Sequence, residues 1–191
     1  MRSVILQIDL SIDGFIGASD GDTSWITSDD SMNQDASDLL NTADTIILGR
    51  VAYQMFSAYW PFADITAPTI HSKIAAQVNH ADKLVFSRTL ESVEWGTWNN
   101  ARVVNGNVAE EIARIKAVPG KNLLLYAGAG IISTFIELDL IDEYRLRVHP
   151  VILGGGLPIF ERVEDRRKLK LVQTKSYANG AALLDYVRAE K

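Results

Sequence analysis

The chain has 191 residues, a net charge of −5, 47% hydrophobic and 23% charged residues, and no cysteine. That length supports one substantial core, and the balance is that of a soluble globular protein. No basic block is present, which argues against nucleic acid as a partner, and zero cysteines exclude disulfides, thiolate metal sites and cysteine nucleophiles. The opening "MRSVILQIDLSIDG" carries one charge before an alternating apolar run, so it reads as a strand and not a signal peptide. No apolar run approaches membrane-spanning length. The expectation is a cytoplasmic protein with no membrane partner.

Val4, Leu6, Ile8, Leu10 and Ile12 alternate with Ser3, Gln7, Asp9 and Ser11, the pattern of a half-buried strand with a polar face. A loop rich in Gly, Asp and Ser follows Asp13-Gly14. Ser28 to Leu40 reads as a helix, with Ser28 or Asp29 as its N-cap. "TIILG" is a second strand and "VAYQMFSAY" a helix. A loop with Pro61 and Pro68 leads to a helix near "IHSKIAAQV" and a strand "KLVFS". "ARVVN" predicts a short strand, "VAEEIARIKA" a helix, "NLLLYAG" an apolar strand, "IISTFIELDL" a helix and "DEYRLRVHP" a strand. The end, "LKLVQTKSYANGAALLDYVRA", reads as two strands around Asn179-Gly180, a pair favoured in type I′ turns. Strands alternating with helices predict an α/β fold: three layers, α-β-α, with a mostly parallel central sheet and a C-terminal antiparallel hairpin. No repeat or linker interrupts it, so a single domain over 1–191 is expected.

Ligands of open α/β sheets bind beyond the carboxyl ends of the parallel strands. Here those ends carry Asp9, Asp13 and Gly14; Gly49-Arg50; Ser87-Arg88; Gly128-Ala129-Gly130; and Gly154-Gly155-Gly156. Helix N-termini attract phosphate through free N–H groups and positive partial charge, and arginine adds a fork of donors. Each piece alone has a plain reading as a turn, a surface arginine or close strand–helix packing. Together, two arginine-bearing strand ends and one glycine-rich helix start suggest a ligand with several phosphates. Histidines 71, 80 and 149 show no ligand spacing, so no metal site is expected. There is no Gly-x-Ser-x-Gly elbow and no P-loop lysine motif. The acid–base candidates are Asp9, Asp13 and Asp30, with Asp29 beside them. For Asp13 the competing reading is Asp-Gly turn chemistry, for Asp29 and Asp30 helix capping, and for Asp9 a solvated strand face.

The segments "LSIDGFIG", "TIILGRVAYQMF", "KLVFSRTL" and "LLLYAGAGIISTFIELDLIDEYRLRVHPVILGGGLPIF" resemble, in that order, the motifs of the dihydrofolate reductase-like superfamily. The match is nearest to the reductase domain of bacterial riboflavin-biosynthesis deaminase–reductases and runs from about Val4 to Phe160. The resemblance implies NADPH as cofactor, with Gly49 and Arg50 at the pyrophosphate and Gly128, Ala129, Gly130 and Ile131 holding it from the other side. It places Ser87 and Arg88 near the ribose 2′-phosphate, and Ile16 and Gly17 against the nicotinamide. The hydride acceptor would occupy the cleft between strand one and the first helix, with Asp30 at the spacing of the acidic substrate-binding residue. It also implies a homodimer. Ala52 departs from the family's "GR-x-T" threonine, Ala127 from the first glycine of its doublet, and the deaminase half is missing.

These residues point to an NADPH-dependent reductase of a small heterocyclic substrate, of the 5-amino-6-(5-phosphoribosylamino)uracil reductase type. Arg145, Arg147 and Lys73 are candidate cations for its phosphate. Dihydrofolate or pterin reduction is the alternative within the class. From other classes, the departures at Ala52 and Ala127 motivate a dinucleotide-binding protein without turnover, and a pocket closed by aromatic side chains would leave an interaction protein.

Overall fold

Thirteen regular elements alternate along the computed structural model, which describes residues 2–189. They are β1 (Val4–Leu10), α1 (Asp30–Asn41), β2 (Ala43–Gly49), α2 (Arg50–Ser57), α3 (Ile70–His80), β3 (Asp82–Phe86), β4 (Ala101–Val104), α4 (Val108–Lys116), β5 (Asn122–Leu125), α5 (Ala129–Glu137), β6 (Glu143–Val148), β7 (Leu169–Ser176) and β8 (Ala182–Arg188), with a short 3-10 turn at Trp60–Phe62. The expected single domain's outermost residues, Met1, Glu190 and Lys191, lie outside the described residues.

The strands form one eight-stranded sheet in the order β4-β3-β2-β5-β1-β6-β8-β7. The first six are parallel; β8 and β7 close the edge antiparallel. The strand and helix order, the three layers and the terminal hairpin agree with the sequence expectation. On one face, Leu39 and Leu40 of α1 and Ile74 and Val78 of α3 pack on Ile5, Ile46, Leu48, Val85 and Leu124. On the other, Ile112 and Ile115 of α4 and Ile132 and Phe135 of α5 pack on Val4, Leu6, Ile47, Leu84, Leu123 and Leu125. Each of these buried apolar side chains stabilises the fold by about 1.5–3 kcal/mol.

Two local expectations are corrected. The polar face of β1 is not solvated: β1 lies between β5 and β6, and Gln7 is 6% and Ser11 1% exposed. The Asn179-Gly180 turn is not type I′, which requires positive φ at both central residues. Gly180 has φ +86 but Asn179 is not among the positive-φ residues. The Gly180 N–H bonds the Tyr177 carbonyl and the Tyr177 N–H bonds the Ala181 carbonyl, so the loop has three residues and a left-handed glycine last. Asn179 instead ties the turn to α1's entry, donating from Nδ2 to the Thr27 carbonyl at 2.9 Å.

Beneath α3, Lys83 of β3 is fully buried. Its Nζ donates to the Asn79 carbonyl (2.7 Å) and to Asn100 Oδ1 (3.1 Å), and it lies 4.4 Å from the Trp95 ring centroid. Burial lowers its pKa to about 7, against the pull of the Asp82 charge. An unfolded lysine titrates near 10.4. Between pH 7 and that value the unfolded chain therefore binds more protons than the folded one, and this group's contribution to stability rises with pH. Thermal unfolding from pH 7 to 9.5 should show the gain in the wild type and a smaller one in Lys83→Met; equal pH slopes would contradict the assignment.

Candidate active site

The six parallel strands point their carboxyl ends at one edge, and each following helix begins there. Three of the five α-helices start on a side-chain cap: Asp29 accepts from the Met32 N–H (2.8 Å), Thr69 from Ser72 (3.1 Å) and Asn107 from Ala109 (3.0 Å). The other two, α2 and α5, start on Gly49 and Gly128, and no side chain caps either. They follow β2 and β5, which are neighbours at the centre of the sheet. A Cβ on Gly49 would stand 3.0 Å from Ile131 Cγ2, so the two helix starts lie against one another. A Cβ on Gly128 or Gly130 would meet nothing within 4 Å, so the space before α5 is open. The result is a double set of free N–H groups at the sheet's edge, an anion-binding arrangement.

Around it, Arg50 is exposed and among the described residues reaches only Gln54, at 3.4 Å. Arg88 is exposed and pairs with no carboxylate among the described residues. The Ser87 hydroxyl is turned inward on its own loop, accepting from the N–H groups of Thr89 (3.2 Å) and Leu90 (3.1 Å). Ala129 and Ile131 are half-buried on the first turn of α5. Ala52 and Ala127 are buried in the two cores and contribute packing there. These residues fit a dinucleotide phosphate chain: free donors, open space before α5 and two unpaired cations.

Ile16 and Gly17 are buried just past β1 and held by a short antiparallel pairing. Ile16 donates to the Leu157 carbonyl (3.0 Å) and Leu157 donates to the Gly17 carbonyl (2.9 Å). Gly156 makes the close approach possible, because a Cβ there would lie 2.2 Å from the Gly17 oxygen.

Beneath α1, the inward polar residues of three strands meet. Asp9 of β1 accepts from Arg147 Nη2 at 2.6 Å and contacts His149 Nε2 at 2.7 Å. Arg145 Nη1 donates to Asp185 of β8 at 2.7 Å, and Gln7 Nε2 reaches the Tyr126 hydroxyl at 3.5 Å. From α1, Asp35 accepts from Lys175 Nζ (2.8 Å) and the Tyr177 hydroxyl (2.8 Å). Burial works to raise the Asp9 pKa, but the His149 hydrogen bond and the Arg147 charge overcome it, and the carboxyl lies below its usual value. Burial pushes Asp185 up, and Glu143 as well. It also pushes the Tyr126 hydroxyl up to about 12, with the charges of Arg147 and Arg145 pulling the other way.

Of the three carboxylates expected from sequence, the structure brings only Asp9 into this cleft. Asp13 is exposed and accepts the backbone N–H groups of Leu153 (3.1 Å) and Gly154 (2.7 Å), so it fastens the loop after β6. Asp30 is exposed on the first turn of α1, next to the capping Asp29, and the helix turns Asp35 toward the cleft instead. His149, Asp35, Tyr126 and Tyr177 were not anticipated. The readable signal was the run Arg145, Arg147, His149 at alternate positions, one face of a strand.

This sheet with its cleft belongs to the dihydrofolate reductase-like class of folds, in the form found in the reductase domains of riboflavin-biosynthesis enzymes. The RibD C-terminal domain family matches residues 2–183, and the chain belongs to that family. It is 37% identical over 185 residues to the uncharacterized protein YyaP of Bacillus subtilis (strain 168), covering 97% of this chain and 94% of that one. It is 24% identical over 160 residues to the riboflavin biosynthesis protein RibD of Corynebacterium ammoniagenes, covering 82% of this chain and 45% of RibD. Among solved structures, a putative riboflavin biosynthesis protein from Shewanella sp. PV-4 superposes with a TM-score of 0.79 at 23% identity, over 100% of both chains. No helix among the described residues is long and apolar enough to cross a membrane.

The Gly156–Gly17 contact gives a direct check on the loop. Gly156→Ala must displace the Ile16–Gly17 backbone, at a cost of about 1–3 kcal/mol typical of overpacking, measured by urea unfolding. Gly155→Ala, whose Cβ meets nothing within 4 Å, should leave stability within experimental scatter.

Proposed function

We propose that this protein is an NADPH-dependent reductase of a small heterocyclic substrate, of the kind reduced by 5-amino-6-(5-phosphoribosylamino)uracil reductases. The observation that carries the reading is the pair of uncapped, glycine-started helices side by side on β2 and β5, with Arg50 and Arg88 beside them and paired with no carboxylate among the described residues. Membership of the RibD C-terminal domain family supports an oxidoreductase. Gly49, Arg50 and Gly128 to Ile131 would bind the pyrophosphate, and Ser87 and Arg88 the 2′-phosphate. Ile16 and Gly17 would lie against the nicotinamide. The bound cofactor supplies a hydride. The chain's own part is to fix the substrate in the cleft beneath α1 and to move a proton there.

A phosphorylated substrate needs a cation. Lys73 of α3 fits that need: it is exposed, pairs with no carboxylate among the described residues, and lines a shallow depression of about 510 Å³ with Gln34 and Ile65. A second reading, an unphosphorylated pterin-like heterocycle, is favoured by Arg145 and Arg147, which are both engaged by Asp185 and Asp9. Reduction assays with the phosphoribosylaminouracil, its dephosphorylated form and dihydropterin separate the two.

Cofactor choice is tested by titrating NADPH and NADH against quenching of the four tryptophans. NADPH should bind more tightly than NADH. Arg88→Ala should weaken NADPH by roughly 1.5–3 kcal/mol, the worth of charge-assisted hydrogen bonds, and leave NADH nearly unchanged. Equal losses for both cofactors would reject the 2′-phosphate role.

A further inference from the structure

His149 stands at the carboxyl end of β6, its N–H bonded to the Leu10 carbonyl at 2.8 Å, on the same edge as Ile16 and Gly17. The residue is 1% exposed, and its ring meets Trp25 edge to face, 5.6 Å between centroids. The Asp9 carboxyl is held ionised by its partners and can only accept. His149 Nε2, 2.7 Å away, therefore carries a hydrogen and donates. That fixes the ring and leaves Nδ1, which is buried and has no partner among the described residues. A neutral ring leaves Nδ1 as a bare acceptor; a protonated ring leaves it as a lone donor. Neither is satisfied among the described residues, and a buried polar atom of this kind calls for a partner, whether a water, an ion or a ligand atom.

Reduction of a C=N or C=O bond by hydride demands such a partner. As hydride arrives at carbon, the π-electron pair moves to nitrogen or oxygen, which must take a proton. The other groups of the cleft are otherwise occupied. Asp9 is held ionised, Tyr126 is held near 12 by its burial, Asp185 and Glu143, though raised by burial, are both engaged by Arg145, and Asp13 and Asp30 face elsewhere. We propose, resting on the reductase reading, that His149 is the acid of this site, giving its Nδ1 proton to the substrate heteroatom while Asp9 holds the ring through Nε2. In the step, a C–H bond forms from the hydride of the dihydronicotinamide and the heteroatom–H bond forms as the His149 Nδ1–H bond breaks. The substrate gains two electrons, the nicotinamide loses them, and the neutral imidazole recovers its proton from water. Asp9 acts as a positioning residue. Arg147, on the histidine's own strand, shares the Asp9 carboxylate. Arg145 with Asp185 and Glu143, and Tyr177 with Asp35 and Lys175, complete the charged and titratable surroundings.

The test uses the whole chain, with His149→Gln and Asp9→Asn, on whichever of the pyrimidine or dihydropterin substrates the wild type reduces. His149→Gln should bind NADPH within twofold of wild type, lower kcat by about 100- to 1000-fold, and lose the alkaline limb of the kcat/KM profile. Asp9→Asn should move that limb to lower pH without changing NADPH affinity. Ring nitrogen NMR of the cofactor-free protein, tractable with only three histidines, should show a fraction of His149 rings with protons on both nitrogens at pH 6, reduced in Asp9→Asn. A His149→Gln protein that turns over like wild type with its alkaline limb intact, or a ring that never carries a proton on Nδ1 between pH 5.5 and 8, overturns the acid and leaves the reductase standing. A wild type that binds no NADPH removes both.

Discussion

Parallel pairing across β4-β3-β2-β5-β1-β6 is the constraint on which the rest of the molecule depends. Parallel strands cannot be joined by tight turns, so each strand must hand over to a crossover before the next begins. All six carboxyl ends therefore share one edge, and every helix that directly follows a strand has its N-terminus there. Glycine at the start of α2 and α5 removes the side chain that would otherwise occupy the first-turn N–H groups. At Gly49 it also admits Ile131 from the neighbouring helix. The same absence of a Cβ thus brings two helix starts together and leaves their donors free. The set of free donors at this edge is a consequence of topology plus two glycines, and the exposed arginines add charge to a dipole field already present.

A second constraint follows from covering both faces of β1. With β1 central and α1 above it, its polar residues cannot face water, and buried polar groups must find partners or destabilise the fold. The partners come from β6 and β8, where the register sets Arg147 beside Asp9 and Asp185 beside Arg145. Truncating one member would leave a charge buried without its partner, which costs far more than the pair contributes. The polar layer is therefore held together for the same reason that it is polar, because each buried charge depends on its partner.

Much of this was legible in the sequence, for identifiable reasons. Apolar alternation and helix caps are local signals, and they placed the strands, the helices and the glycine-started turns "ILGR" and "YAGAG". The direction of β1's polar face was not legible. Alternation shows that Gln7 and Asp9 share a face, but not whether water or a helix lies beyond it. Their partners are far away: Arg147 and His149 stand 138 and 140 residues from Asp9. Asp13 and Asp30 were conspicuous because they sit beside a glycine turn and a helix start, but Asp13 holds the distant N–H groups of Leu153 and Gly154, and the cap of α1 is Asp29. Asp35 was hidden in an acidic helix where nothing local distinguishes the residue facing Tyr177. The Asn179-Gly180 pair predicted a turn correctly and its type wrongly, because the asparagine side chain is spent on Thr27 and the loop takes a third residue.

The distribution of charge divides the site into two chemically distinct halves. In the cleft beneath α1 each cation has its carboxylate: Arg147 with Asp9, Arg145 with Asp185, Lys175 with Asp35. At the edge where α2 and α5 begin, Arg50 and Arg88 have none among the described residues. The difference follows from solvent. An exposed arginine keeps its hydration and can await a phosphate at little cost, whereas an unpaired charge under α1 would lose its water with nothing in return. The cleft consequently offers directed donors and acceptors with little net charge. Among the described residues it leaves unmatched the Nε atoms of Arg145 and Arg147, Nδ1 of His149 and Oδ1 of Asp185, so the pairing of charges is complete while the hydrogen bonding is not.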